Sequence, residues 1–150
     1  MMLTPWYVTG FCDGEAVFTY SRAGGTFGLY FSIKQKEDSR QLIEEIYKYF
    51  NYVGNLYIEK VSTSGYSKKS QTVVYYRVTK IDELKIIVGH FDKYPLQSPS
   101  KREVYSIWRD MVAYKLENYR KIDYDKLRGL AEKLSNQNKI KNQLPKAQGS

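Results

Sequence analysis

A carboxylate at the C-terminal end of a helix faces the negative end of the helix dipole, and Glu15 is expected to stand in that position. Thr4 is a suitable N-cap and Pro5 a suitable first helical residue, because the N–H that proline lacks would go unpaired there anyway. A short helix is therefore expected from Pro5 to about Asp13. Left uncompensated, the placement of Glu15 costs roughly 0.3–1 kcal/mol, and a divalent cation is one way to offset it. The remaining composition narrows the metal chemistry. One cysteine, Cys12, and one histidine, His90, exclude an internal disulfide, a cysteine-based zinc site and a histidine cluster. Carboxylates remain, and they take hard cations such as Mg²⁺. Cys12 reads as a small buried hydrophobe within the helix.

The elements that must carry Glu15 follow from periodicity. Gly10 and Gly14 lie on one face of the first helix, and two side chains of a single hydrogen let another backbone approach closely. Val17–Arg22 reads as a strand, Ala23-Gly24-Gly25 as a turn and Gly28–Gln35 as the antiparallel partner. Leu29, Phe31 and Ile33 alternate there with Tyr30, Ser32 and Lys34, giving one apolar face and one polar, basic face. Asp38 or Ser39 is expected to cap a helix running to about Phe50. A second unit repeats the pattern. Asn55–Val61 sets Leu56 and Ile58 against Tyr57 and Glu59. Ser62–Gln71 is a polar loop, and in Val73–Val78 the residues Val74, Tyr76 and Val78 face inward. A helix from Ile81 to Phe91, another over Ser100–Tyr114 and a last one capped by Asp123 and ending at Leu134 complete the order. This is an α+β arrangement in which four antiparallel strands carry helices on one face. Residues 1–134 form a single domain, and the polar, basic stretch 135–150 is expected to be a disordered tail.

The chain has 150 residues and a net charge of +8, with a pI of about 9.4. That excess favours a polyanionic partner, nucleic acid or anionic membrane. No apolar run is long enough to span a bilayer, and the N-terminus lacks a basic region followed by an apolar signal stretch. Nucleic acid is the stronger option.

Val8-Thr9-Gly10-Phe11-Cys12-Asp13-Gly14-Glu15-Ala16 resembles, position by position, the nine-residue motif that names the LAGLIDADG homing endonucleases. It departs at the last position, where the family usually has glycine and this chain has Ala16. A glycine permits backbone angles closed to alanine, so the turn at Ala16 is expected to differ from the family's. Ser32-Ile33-Lys34-Gln35-Lys36 resembles the family segment that ends the second strand with a water-holding glutamine. Phe91-Asp92-Lys93-Tyr94-Pro95-Leu96, followed by Lys101, resembles the segment before the fifth helix of mitochondrial-type members, which supplies a basic residue beside the scissile phosphates. The resemblance covers roughly residues 4–115, in three motifs in the family's order.

What the resemblance implies is specific. The fold is αββαββα with a four-stranded antiparallel DNA-binding sheet and extra C-terminal helices. Two motif helices pack along their glycine faces, making Gly10, Asp13 and Gly14 the interface residues; in the family, the acid at the sixth position, here Asp13, steadies the helix end. Glu15, at the eighth position, holds the divalent metal, and Ala16 beside it belongs to the same metal position. Gln35 positions the attacking water, and Lys101, with Lys93 as the competing choice, stabilises the phosphate. The cofactor is Mg²⁺, with Mn²⁺ as a substitute and Ca²⁺ supporting binding without turnover. Because one copy of the motif occurs, the working unit is a homodimer cutting double-stranded DNA at a long, near-palindromic site. The compartment is an organelle or a prokaryotic cytoplasm.

The outward strand residues Thr19, Ser21, Arg22, Tyr30, Ser32, Lys34, Tyr57, Glu59, Tyr75 and Arg77 form the expected DNA face. β-Ribbons fit the major groove, where hydroxyl, amide and guanidinium groups read base edges. Lys68 and Lys69 in the polar loop are expected to grip phosphate, which positions without specifying. The alternative is a non-cleaving binder of the same fold, an intron maturase or a regulator. Retention of an acid at an unfavourable helix end favours the nuclease.

Overall fold

Two ribbons and five helices account for the chain in the computed structural model, which describes residues 2–23, 26–62 and 70–143. In chain order these are α1 (Pro5–Glu15), β1 (Ala16–Ala23), β2 (Thr26–Lys36), α2 (Arg40–Tyr49), β3 (Asn55–Ser62), β4 (Ser70–Val78), α3 (Ile81–Lys93), α4 (Pro99–Glu117) and α5 (Tyr124–Gln143). The strands form one sheet in the order β1-β2-β4-β3, with every neighbouring pair antiparallel. The helices lie on one face of it, as the alternation of the strands requires.

Register fixes which side chains share that face. Phe18 lies opposite Phe31, Ile33 opposite Tyr76 and Phe31 opposite Val78; all of these are buried. Phe31 is the hub, with ring centroids 5.4 Å from Phe18, 5.9 Å from Phe50, 6.0 Å from Tyr76 and 6.1 Å from Phe91. Aromatic pairs at such separations favour tilted and edge-to-face contacts, which tie the end of α2 and α3 to the sheet centre. Trp108 of α4 is fully buried and donates its indole N–H to the Thr19 carbonyl at 3.1 Å.

Thr4 caps α1 as its type suggests, accepting from the Tyr7 N–H at 3.2 Å. Asp123 does the same for α5, accepting from the amides of Asp125 and Lys126. Ser39 stands at the N-cap of α2, but its side chain makes no capping bond; Glu37–Ser39 form a 3₁₀ turn leading into the helix. The turn from α2 into β3 needs left-handed backbone at Asn51, Tyr52 and Gly54. Gly54 is also held close to β4, where an added Cβ would stand 2.5 Å from the Arg77 carbonyl oxygen.

Three local expectations are corrected. α1 continues to Glu15, so the helix passes directly into β1. α5 continues to Gln143, nine residues beyond the expected end at Leu134. The polar composition after Leu134 does not end that helix, because the Tyr20 hydroxyl lies 2.7 Å from Ser135 Oγ and Leu127, Ala131 and Leu134 are buried. Tertiary packing thus outweighs composition, and the expected disordered tail from residue 135 is helical to 143. Ile58 was expected to face the core but is 52% exposed, because it lies on the edge strand β3, on which no helix packs extensively. Gly24 and Gly25, Lys68 and Lys69, and residues 144–150 lie outside the described residues.

Candidate active site

The end of α1 is joined to the start of α4 twice. The Asp13 carboxylate accepts from the backbone N–H of Ser98 at 2.9 Å, from the Ser98 hydroxyl at 2.9 Å and from the Gln97 N–H at 3.2 Å. In return Lys101, in the first turn of α4, donates its ammonium to the Ala16 carbonyl. Each charge sits at the helix end that favours it, the acid at the N-terminus of α4 and the cation at the C-terminus of α1. Both links span about eighty-five positions in the chain.

Glu15 is exposed beside this junction, and its Oε2 accepts from Gln35 Nε2 at 2.8 Å. The structure therefore brings together Glu15, Ala16, Gln35 and Lys101, which the sequence spaces over eighty-six positions. Lys101 is 2% exposed and lines a cavity of about 270 Å³ with Ala16, Val17, Thr19, Val104 and Asn138. Asn138 is a neighbour that no sequence signal pointed to. The Lys101 ammonium also supplies a cation at the helix end where Glu15 stands, so the protein itself provides part of the offset that Glu15 needs.

Ala16 has φ −84° and ψ 151°, ordinary extended angles open to any residue. The missing glycine at the last motif position therefore costs nothing. The Ala16 carbonyl accepts from the Lys101 ammonium, and Glu15 beside it is the exposed carboxylate at this helix end. Among the described residues there is no group of three or more His, Cys, Asp or Glu able to hold a metal. One chain contributes one acid, which fits Mg²⁺, an ion habitually held by one or two carboxylates together with phosphate oxygens and water. Lys93 does not join this cluster by any contact the structure shows; its ammonium sits 5.6 Å from the Tyr94 ring centroid.

The opposite side of α1 is bare. A Cβ added at Gly10 or Gly14 would meet nothing within 4 Å, and Trp6 and Tyr7 on the same helix are 54% and 47% exposed. Asp13, expected to steady the helix end, gives its carboxylate to Ser98 and Gln97 of its own chain. On the inner side Thr9 donates its hydroxyl to the Tyr94 carbonyl at 2.7 Å and lies 2.9 Å from His90 Nε2. The one hydroxyl proton is spent on the carbonyl, so Nε2–H must be the donor to Thr9. His90 Nδ1 then accepts from Tyr49 Oη at 2.9 Å. Burial holds His90 neutral by lowering its pKa to about 4. Burial likewise pushes the Cys12 thiol well above its ordinary value, so it stays protonated and is no nucleophile.

The sheet face away from the helices carries Thr19, Ser21, Tyr30, Ser32, Lys34, Tyr57, Glu59, Tyr75 and Arg77 by register. Arg22 does not belong with them. It pairs with Phe27 on the helix-side parity of β1, and its guanidinium lies 6.0 Å from the Tyr20 ring centroid. Ser21 and Arg22 are consecutive, and consecutive strand residues point to opposite faces. Ser32 is on the open face but only 8% exposed. The same register adds Lys36 and Asn55, both exposed, which alternation alone would have yielded.

A family model described as LAGLIDADG endonuclease matches residues 8–112. A probable intron-encoded endonuclease 2 of Neurospora crassa is 32% identical over 124 residues, covering 77% of this chain and 25% of that protein. An uncharacterized 50.9 kDa protein in ND4 intron 1 of Podospora anserina is 29% identical over 119 residues, covering 73% of this chain and 24% of that one. The chain thus spans about a quarter of the length of these relatives. Among solved structures, the LAGLIDADG meganuclease I-AabMI bound to uncleaved DNA superposes with TM-score 0.68 at 30% identity, covering 85% of this chain and 42% of its own. The homing endonuclease I-TnaI, at 22% identity and TM-score 0.69, shares the fold over 93% of this chain and 99% of its own. Among the described residues no helix is long and apolar enough to cross a membrane.

Proposed function

The chain belongs to the LAGLIDADG endonuclease family, and from that premise we propose that it is a divalent-metal-dependent homing endonuclease. It acts as a homodimer on a long, near-palindromic double-stranded DNA site. The observation that carries this reading is the pairing of an exposed Glu15, oriented by Gln35 at 2.8 Å, with a bare glycine face on the same helix. One chain presents one acid, and a second motif helix docked on Gly10 and Gly14 brings a second. Two-fold protein symmetry is then mirrored in the half-sites.

A bound Mg²⁺ supplies a water made nucleophilic at neutral pH and neutralises charge on the phosphate. The chain's residues do the rest. Glu15 holds the cation, and Gln35 fixes the Glu15 rotamer while its own amide oxygen is free to accept from a water. Lys101, buried against the Ala16 carbonyl, keeps a positive charge beside the reacting phosphate. Asp13 locks the two helices that carry these groups. The open sheet face lies against the DNA, and the net charge of +8 favours the encounter. The intron origin of the Neurospora and Podospora proteins extends to this chain as part of the proposal, with an organelle or a prokaryotic cytoplasm as the compartment.

The test is a cleavage selection from a randomised duplex library with Mg²⁺. Recovery of cut products that share a two-fold-related sequence and 3′ overhangs is the expected result. Retention of a specific duplex with no cut product would replace the nuclease by a non-cleaving binder of the same fold.

A further inference from the structure

We propose that Arg77 is a guanine reader, held for that task by the ring of Tyr30. The inference rests on the DNA-binding reading of the sheet and assigns a base identity to one position on it. Arg77 lies on β4, one of the two interior strands, opposite Ser32 of β2 and Asn55 of β3. Its carbonyl oxygen lies against Gly54, where an added Cβ would stand 2.5 Å away. Its guanidinium carbon sits 4.6 Å from the Tyr30 ring centroid, the shortest cation-to-ring distance among the described residues.

The donor inventory is what points to a ligand. Among the described residues, one buried side-chain polar atom has no hydrogen-bond partner, and it is Arg77 Nε. No carboxylate among those residues forms an ion pair with Arg77 either. The free protein therefore carries a charged group that is stacked and partly desolvated but unpaired, an arrangement that costs stability unless something else is bound. With Nε enclosed, the two terminal nitrogens are the donors left to meet a ligand. Two parallel donors match guanine, whose O6 and N7 both accept in the major groove. They mismatch adenine, which offers one acceptor and one donor there. The rigid planar fork also makes the contact directional, and stacking on Tyr30 removes the rotamer freedom that binding would otherwise have to freeze. A phosphate contact fits less well, because Arg77 stands on an interior strand of the open face, flanked by Ser32 and Asn55 on both sides.

The experiment is a binding selection from a randomised duplex library at fixed salt, run with the unaltered protein and with Arg77→Ala, Tyr30→Ala and Tyr30→Phe. The unaltered protein is expected to enrich guanine at one position of each half-site. Arg77→Ala should lower that enrichment by about five- to 150-fold, the worth of one bidentate base contact, and leave the other positions unchanged. Tyr30→Ala should weaken the same position, and Tyr30→Phe, which keeps the ring, should restore it. A preference unchanged at every position in Arg77→Ala overturns the proposal. So does a uniform loss of affinity with a shallower salt dependence, which would make Arg77 a phosphate contact. Failure of the unaltered protein to retain any duplex sinks the DNA-binding reading itself, and this assignment with it.

Discussion

Gln35 donates its side-chain amide to Glu15 Oε2 across 2.8 Å, so the end of β2 holds the acid at the end of α1. The two residues come from different elements, and each fixes the other's rotamer at an otherwise exposed position. Glu15→Gln is expected to keep DNA affinity within several-fold and to abolish cleavage, because the substitution removes charge and keeps shape. Ca²⁺, which tolerates looser geometry, should support binding of the unaltered protein without turnover. Filter binding alongside a plasmid-cutting assay separates the two effects; cutting by Glu15→Gln at near the unaltered rate would remove Glu15 from the reaction.

The Asp13 carboxylate holds the entry to α4, accepting the N–H of Ser98, the N-cap residue, and of Gln97 before it, much as the acid of a capping box reaches back to the N-cap N–H. Loss of such a cap typically costs about 0.5–2 kcal/mol. Asp13→Ala should therefore lower the thermal midpoint by roughly 1–8 °C for a domain of this size. Calorimetry of the free protein checks this without DNA. An unchanged midpoint would show that the carboxylate acts in the assembly and not within the chain.

Gly10 meets nothing in its own chain, so a side chain there does not disturb the isolated fold. Removing a mid-helix glycine should even stabilise α1 by up to about 1 kcal/mol. Gly10→Leu is accordingly expected to leave the thermal midpoint equal or higher while abolishing double-strand cutting. Sedimentation of the DNA complex should give two chains per duplex for the unaltered protein and one for Gly10→Leu. One unaltered chain per duplex with double-strand cutting intact would make the homodimer wrong.

His90 supplies a pH dependence with a definite sign. Burial lowers its pKa from 6.5 to about 4 in the folded protein, so on acidification the unfolded chain takes up this proton first. The stability due to neutral His90 is fully present above pH 6.5 and is lost as pH falls toward 4, a contribution of ~2–3 kcal/mol. Asp92, whose carboxyl Arg109 holds below its ordinary range by a hydrogen bond, loses its own contribution as pH falls further. Denaturant unfolding between pH 7 and 4.5 should therefore show a shallower acid slope in His90→Gln than in the unaltered protein. Equal slopes would exclude His90 as the source.

Much of the architecture was legible because it is written in short-range periods. Alternation in 28–35 and 73–78 assigned Leu29, Phe31, Ile33, Val74, Tyr76 and Val78 to the helix side, and register confirms all six. Thr4 and Asp123 announced helix starts by chemistry that acts over three residues. Arg22 was misplaced although the same rule applied, since it follows Ser21 on a strand and must face the other way. The motif marked Glu15 through its residue types alone.

The sequence by itself thus determined the order of elements, the inward faces of the central strands and the identity of the acid at the end of α1. Only the tertiary structure decided what that acid and its neighbours touch. Asp13 with Ser98, Lys101 with Ala16, and Glu15 with Gln35 are pairs whose members belong to separate elements, set side by side by packing against one aromatic core. The continuation of α5 to Gln143 is of the same kind: its polar residues give no apolar period, and the helix persists where Ser135 reaches Tyr20. Periodicity reports a residue's relation to its own backbone, whereas a hydrogen bond between elements depends on how whole helices and strands dock.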